Sequence, residues 1–274
     1  MTEEQRLTLS IEDGIAQIRL VRPEAANSID LAFALDFESA AKICKKVGVR
    51  VVLISGEGRH FCAGGDLKNF ASSPELDSHL TELVTHLHSG ITILVEMDAP
   101  LVIAVEGAVA GAGLGLVCAA DIVVSGTSAT YVMAYTQIGL SPDGSTTWFL
   151  PRLIGLRRAL DLTLTNRVLD ATEALDWGIV SRLVEDGEAL NEARNIAERL
   201  AGGPIAAFGK SARLIRSSMA NDLETQLNLE ATNLVESAQT SDGIEGIRAF
   251  IDGRSPHFSN TGKVLGRSEG HTYL

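Results

Sequence analysis

The chain has 274 residues, 45% of them apolar and 21% charged, with a formal net charge of −12. Those proportions exclude a disordered chain, and so acidic a surface would repel phosphate backbones and anionic membranes, so neither nucleic acid nor membrane is expected as a partner. The start, MTEEQRLTLS, lacks the basic end, apolar run and cleavage site of a signal peptide, and the three cysteines (Cys44, Cys62, Cys118) share no CxxC spacing, so a cytoplasmic protein without a disulfide framework or metal site is expected.

In chain order, LTLSIE and IAQIRL alternate on either side of Asp13-Gly14, which predicts a hairpin over residues 7–20. Asp30 is placed to cap a helix through LAFALDFESAAKICKK, and VRVVLIS then reads as a buried strand ended by Gly56. Leu76, Leu80, Leu83, Val84, Leu87, Ile91, Leu94 and Val95 recur at steps of three and four, predicting one amphipathic helix. Pro100 precedes a strand, LVIAVEG, glycines open a helix near 111–120, and DIVVS predicts a further strand. The run 101–124 is long enough to span a bilayer, but Glu106 and repeated glycines make it buried core instead. Beyond residue 145 every periodic segment is helical and no strand is predicted. The division expected is a core over 1–200 followed by a helical region over 201–274.

Two loops rich in small residues stand out. RHFCAGGDLK (59–68) and EGAVAGAGLGL (106–116) each follow a strand and open a helix, where backbone N–H groups are free to point at a negatively charged oxygen. Read singly, the first is a tight turn with Asp66 capping a helix, and the second fails the G-x-G-x-x-G spacing of a dinucleotide fold. Read together, they could supply one N–H each to a single carbonyl oxygen, as an oxyanion hole does.

A third segment, IGLSPDGSTTWFLPRLIG, sets Asp143 in an otherwise uncharged stretch between a proline and a glycine. By itself an S-P-D-G turn feeding a helix explains that acid. FCAGGDLK, the EGAVAGAGLGL run followed by AADI, this segment and LTNRVLDATEALDWGIVSRLVE, in that order, resemble the crotonase (enoyl-CoA hydratase/isomerase) superfamily over residues 7–260.

That resemblance implies an α/β fold, a superhelical core of repeated β-β-α turns with a C-terminal helical trimerisation region. It also implies a homotrimer or hexamer that binds an acyl-CoA thioester, with coenzyme A part of the substrate and no separate cofactor. Carried onto this chain, the hole's donors are Gly65 and Ala112, where the family commonly has glycine at the second. Ala63, Gly64, Asp66, Leu67 and Lys68 line the coenzyme side, with Arg22 as a further positive charge and Lys210, Arg213 and Arg216 as a possible subunit-edge stripe. Hydratases of the family carry two glutamates, at positions matched here by Gly115 and Tyr135, so an ordinary hydratase is disfavoured.

Asp143 matches the acid of the family's ring-epoxide and enoyl isomerases and of its 4-chlorobenzoyl-CoA dehalogenases. TYVMAYTQIGLSPDG and GIRAFIDGRSPHF most resemble the epoxyphenylacetyl-CoA isomerases. As an isomerase the chain would use Asp143 as acid and base, its apolar setting raising the pKa toward the operating pH. As a dehalogenase or thioester hydrolase it would use Asp143 as nucleophile, with His88 as the matching base. Hydration, or a non-catalytic binding subunit, are the remaining readings. A solvated helical role for His88, a packing role for Tyr135 and a space-saving role for Cys62 are the plain alternatives.

Overall fold

A computed structural model describes residues 5–258 and 271–272. The expectations for the first four residues and for most of the stretch beyond 258 lie outside them. The hairpin forms as predicted: β1 (Leu7–Glu12) and β2 (Ile15–Leu20) pair antiparallel, with Asp13 and Gly14 at positive φ (49° and 81°), as a two-residue turn between right-twisted strands demands. Asp30 caps α1 (Leu31–Val47), its carboxylate accepting from the Phe33 amide at 2.8 Å. The chain continues through β3 (Val51–Gly56), β4 (His60–Cys62), α2 (Leu67–Ser72) and α3 (Leu76–Glu96). It then runs through β5 (Leu101–Val105), β6 (Ala108–Ala110), α4 (Ala112–Ala119), β7 (Ile122–Gly126) and β8 (Thr130–Val132).

Beyond 145 come α5 (Thr146–Ile154), α6 (Leu156–Thr165), β9 (Leu169–Asp170), α7 (Ala171–Trp177), β10 (Arg182–Val184) and α8 (Ala189–Ala201). Three helices come next, α9 (Ile205–Ser217), α10 (Leu223–Ala238) and α11 (Ser241–Ile251), and β11 (His271–Thr272) returns to pair with β1. The expectation that no strand follows residue 145 is therefore corrected. β10 extends the main sheet parallel to β7 and β9 closes on β8, and at three and two residues both are too short to carry a period.

Among the described residues the strands form two sheets. The larger runs β10-β7-β5-β3-β2-β1-β11, and the smaller runs β4-β6-β8-β9. β3 and β5 are buried along their length because both faces are covered. One face belongs to the large core with α1, α3 and α4, and the other packs Val51, Leu53, Val102, Ala104 and Val124 against Ala189, Ala193, Ile196 and Ala197 of α8. α4 is buried on every side, so it has no polar stripe.

The repeat is visible in this order: a long strand in the main sheet, a short strand in the small sheet, then a helical turn. β3-β4, β5-β6 and β7-β8 are three such units, and β4, β6 and β8 lie side by side in parallel. The residues after each short strand are consequently delivered to one edge of the small sheet.

Candidate active site

Gly65 comes after β4, Ala112 after β6 and Tyr135 after β8, so successive repeats bring all three to a common place. The two small-residue loops touch: a Cβ on Gly64 would stand 2.9 Å from the Ala110 carbonyl oxygen, and one on Gly111 3.5 Å from the Gly64 Cα. Gly64 is at φ +85°, so glycine is needed there for conformation as well as space. Among the described residues neither the Gly65 nor the Ala112 N–H makes a hydrogen bond. For Ala112 the reason is its place at the first position of α4, where no carbonyl lies one turn back.

Both residues line a cavity of about 340 Å³ together with Tyr135 and Asp143. Its far wall is apolar: Leu80, Leu83, Val84 and Leu87 from α3, Phe70 from α2, and Ile138 and Leu140 beyond the Tyr135 turn. The predicted period of α3 is what aims those leucines inward. Leu76, at the helix start, is exposed.

Asp143 divides its roles between backbone and side chain. Its carbonyl accepts from the Thr146 amide at 3.1 Å and the Thr146 hydroxyl at 2.5 Å, which closes the turn into α5. Its carboxylate does not cap that helix. Oδ1 instead accepts from the Tyr135 phenol at 2.5 Å, and Oδ2 stands 3.5 Å from His88 Nε2. The setting is thus not wholly apolar, since a donor sits on one carboxylate oxygen. Burial, and then the charge of Asp143, push the Tyr135 phenol well above its ordinary range, so it stays protonated.

His88 is close to Asp143 although a solvated role was the plain expectation. Its side chain is still 47% exposed, and its Nε2 accepts a hydrogen bond from the Gly144 amide at 3.2 Å. His86, on another face of the helix, binds Glu38 at 2.9 Å, so the two histidines do not form a pair.

Backbone strain brackets these groups. Ala134, immediately before Tyr135, and Ser145, two residues after Asp143, both stand in the left-handed region at φ +60° and +68°. A non-glycine residue there costs on the order of 1–3 kcal/mol. Gly115, matched to a hydratase glutamate, is sterically closed: a Cβ there would lie 2.2 Å from the Gly144 carbonyl oxygen. The turn bearing Asp143 occupies that space.

The other expected residues divide between this cavity and a neighbouring cleft. Ala63, Gly64, Gly65 and Leu67 line the cavity, while Gly65, Asp66, Leu67 and Lys68 line the cleft. Asp66 caps α2 and takes the Arg22 guanidinium at 2.5 Å. Burial alone would raise the Asp66 carboxyl, but the Asn69 amide and Arg22 hold it below its ordinary range. Arg22 also binds Asp30 at 2.8 Å, so both ends of its guanidinium are engaged within the protein. The exposed Arg59, which sequence reasoning passed over, lines the same cleft as Lys68. The spacing of a single arginine offered no signal for it.

Lys210, Arg213 and Arg216 each pair with a carboxylate, Glu236, Asp98 and Asp121, and do not form an unpaired stripe. Cys62 is fully buried, its thiol pushed up to about 12 by burial, and it packs where a Cβ on Gly113 would meet it at 2.8 Å. No cluster of metal-binding side chains occurs among the described residues, and no described helix is long and apolar enough to cross a membrane.

Comparison with known proteins agrees with this architecture. The family model described as enoyl-CoA hydratase/isomerase matches residues 10–261. A Rhodobacter capsulatus protein named "Probable enoyl-CoA hydratase" is 36% identical over 250 residues, 91% of this chain and 96% of its own. The 1,2-epoxyphenylacetyl-CoA isomerase of Escherichia coli is 35% identical over 259 residues, 92% of this chain and 97% of its own. A crystal structure of an enoyl-CoA hydratase from Polaromonas sp. JS666 superimposes with a TM-score of 0.85 at 32% identity, covering 92% of this chain and 99% of that one. With the repeated β-β-α units and two glycine-rich loops meeting at one cavity, the chain belongs to the enoyl-CoA hydratase/isomerase, or crotonase, family.

Proposed function

We propose that the protein is an acyl-CoA isomerase working through a thioester enolate, with Asp143 as the acid and base and the Gly65 and Ala112 amides as the oxyanion hole. The observation that carries this reading is the presence of one carboxylate beside two free amides in a single apolar cavity, with position 115 closed to a second acid. Asp143 takes a proton from the carbon next to the thioester carbonyl, and the C–H electrons move onto the carbonyl oxygen between the two amides. The same acid returns the proton further along the chain, or to an opened epoxide oxygen. The coenzyme lies along residues 63–68, with Lys68 and Arg59 facing its phosphates. At about 340 Å³ the cavity exceeds twice the roughly 150 Å³ that encloses a benzene ring, so a ring or a medium chain fits beside the thioester.

The test is Asp143→Asn against 2-enoyl, 3-enoyl, ring-epoxide and halobenzoyl thioesters, read by product identity. Turnover should fall by roughly 10²- to 10⁴-fold with thioester affinity nearly kept. Undiminished turnover removes the proposal.

The nucleophilic reading is favoured by one contact, His88 Nε2 at 3.5 Å from Asp143 Oδ2. Yet the lone pair a base would need already accepts the Gly144 N–H. Mass spectrometry after mixing with a halobenzoyl thioester separates the two: an adduct on Asp143 with halide release supports the nucleophile.

Assembly as a homotrimer or hexamer belongs to the same proposal. It is supported by an apolar face on the last helices: Leu223, Leu234, Phe250 and Ile251 are 72–88% exposed, and α10 buries none of its residues in one chain.

A further inference from the structure

The third repeat supplies a side chain where the first two supply amides. β8 ends at Val132, the Met133 carbonyl accepts from the Tyr135 amide at 2.8 Å, and Ala134 takes the left-handed conformation that turns the next residue inward. The ring then lies over the hole loop, since a Cβ on Gly111 would be 3.8 Å from Cε2 and Cζ of Tyr135. Its hydroxyl reaches Asp143 Oδ1 at 2.5 Å. The two oxygens of the carboxylate are thereby made unequal. Oδ1 is held, while Oδ2 receives no hydrogen bond among the described residues and faces only His88, whose Nε2 is already an acceptor.

We infer that Tyr135 is a positioning residue for the proton transfer: by pinning Oδ1 it leaves Oδ2 as the one oxygen that removes and returns the substrate proton. The inference rests on the reading of Asp143 as acid and base. On the outward leg an Oδ2 lone pair forms the O–H bond as the C–H bond breaks, its electron pair passing to the enolate. On the return leg that O–H bond breaks and a C–H bond forms at the new carbon, leaving the carboxylate as it began. A hydrogen bond to the charged form stabilises the carboxylate. It keeps the Asp143 side chain in one rotamer for both legs. The phenol does not compete as the proton source, because burial and the neighbouring charge hold its proton in place.

Tyr135→Phe removes the donor and keeps the ring. Site-specific 3-fluorotyrosine at 135 keeps the donor and strengthens it. With the thioester that the wild type isomerises, kcat of Tyr135→Phe should fall roughly 10- to 100-fold while KM stays within about threefold, as loss of a hydrogen bond to a charged group implies. The acid limb of its kcat/KM profile should move up, and that of the fluorotyrosine protein should move down. Both shifts should persist in a His88→Gln background, since His88 is the other titratable group facing the carboxylate. A purely structural role predicts a lower melting temperature and an equal loss at every pH. Profiles that superimpose on the wild type's, or shifts that vanish with His88, overturn the inference. Should Tyr135→Phe not fold, the fluorotyrosine shift decides alone. Asp143→Asn run in parallel tells the two failures apart. An inactive Asp143→Asn with unshifted Tyr135 profiles defeats this inference only, whereas an active one defeats the underlying reading as well.

Discussion

Ser145 stands at φ +68°, two residues beyond Asp143 at the mouth of α5, with its hydroxyl buried and lacking a partner among the described residues. A left-handed serine and an unsatisfied hydroxyl both cost stability, and glycine at 145 relieves both at once. Ser145→Gly should therefore stabilise the protein by about 1 kcal/mol, raising the melting temperature by roughly 2–4 °C in a thermal unfolding scan. An unchanged or lower value means that the serine makes contacts the turn needs. At the same scale Cys62 is fully buried, and the Tyr135 hydroxyl donates to Asp143, a contact invisible in the string Tyr131, Met133, Tyr135.

Between elements, two contacts hold the parts of the site in register. α4 meets the Asp143 turn at Gly115, so Gly115→Ala forces that turn away. An added methyl 2.2 Å from a carbonyl oxygen cannot be absorbed in place, and a loss of about 1–3 kcal/mol by denaturant titration together with a fall in turnover is expected. Full stability in that variant would show α4 free to slide. α3 is fastened to α1 through Glu38, which takes Lys42 at 2.8 Å, Ser89 at 2.5 Å and His86 at 2.9 Å. Those hydrogen bonds, that to Lys42 foremost, lower the Glu38 carboxyl from 4.5 to about 2. A carboxylate lowered on folding lends stability that is complete above its unfolded value and fades as pH falls through the folded one. Acid titration of Glu38→Gln should therefore show less loss of stability between about pH 4.5 and 2 than the wild type. Identical curves would place the acid sensitivity elsewhere.

For the molecule as a whole, the main sheet buries β3 and β5 on both faces, while the small sheet brings the ends of β4, β6 and β8 to the cavity. The helices after α8 are built differently: one buried residue each in α9 and α11, none in α10, and large apolar side chains facing out. If that face joins copies of the chain, sedimentation equilibrium will find a particle of three chains or of six. Paired substitutions such as Leu234→Glu with Phe250→Glu should then release single chains. A wild type that sediments as one chain at high concentration removes the assembly proposal.

The hairpin, the caps at Asp30 and Asp66, the buried strands β3 and β5 and the amphipathic α3 were all legible in the residues, because each is a local pattern: a turn pair, a cap three residues before its amide, a period. Membership of the family could be read from loops whose glycines are required by conformation and close approach. The short strands β4, β6, β8, β9 and β10 were not legible, since two or three residues hold no period and their pairing is decided by neighbours far along the chain. The site was legible in part. Which residues gather at the cavity could be read off, but three features depend on contacts between residues eight to fifty-six positions apart. Asp143 turns its carboxylate to Tyr135 instead of to its own helix, His88 offers its lone pair to Gly144, and position 115 has no room for a second acid. Side-chain direction at a turn is set by what packs above it, and only the folded chain supplies that.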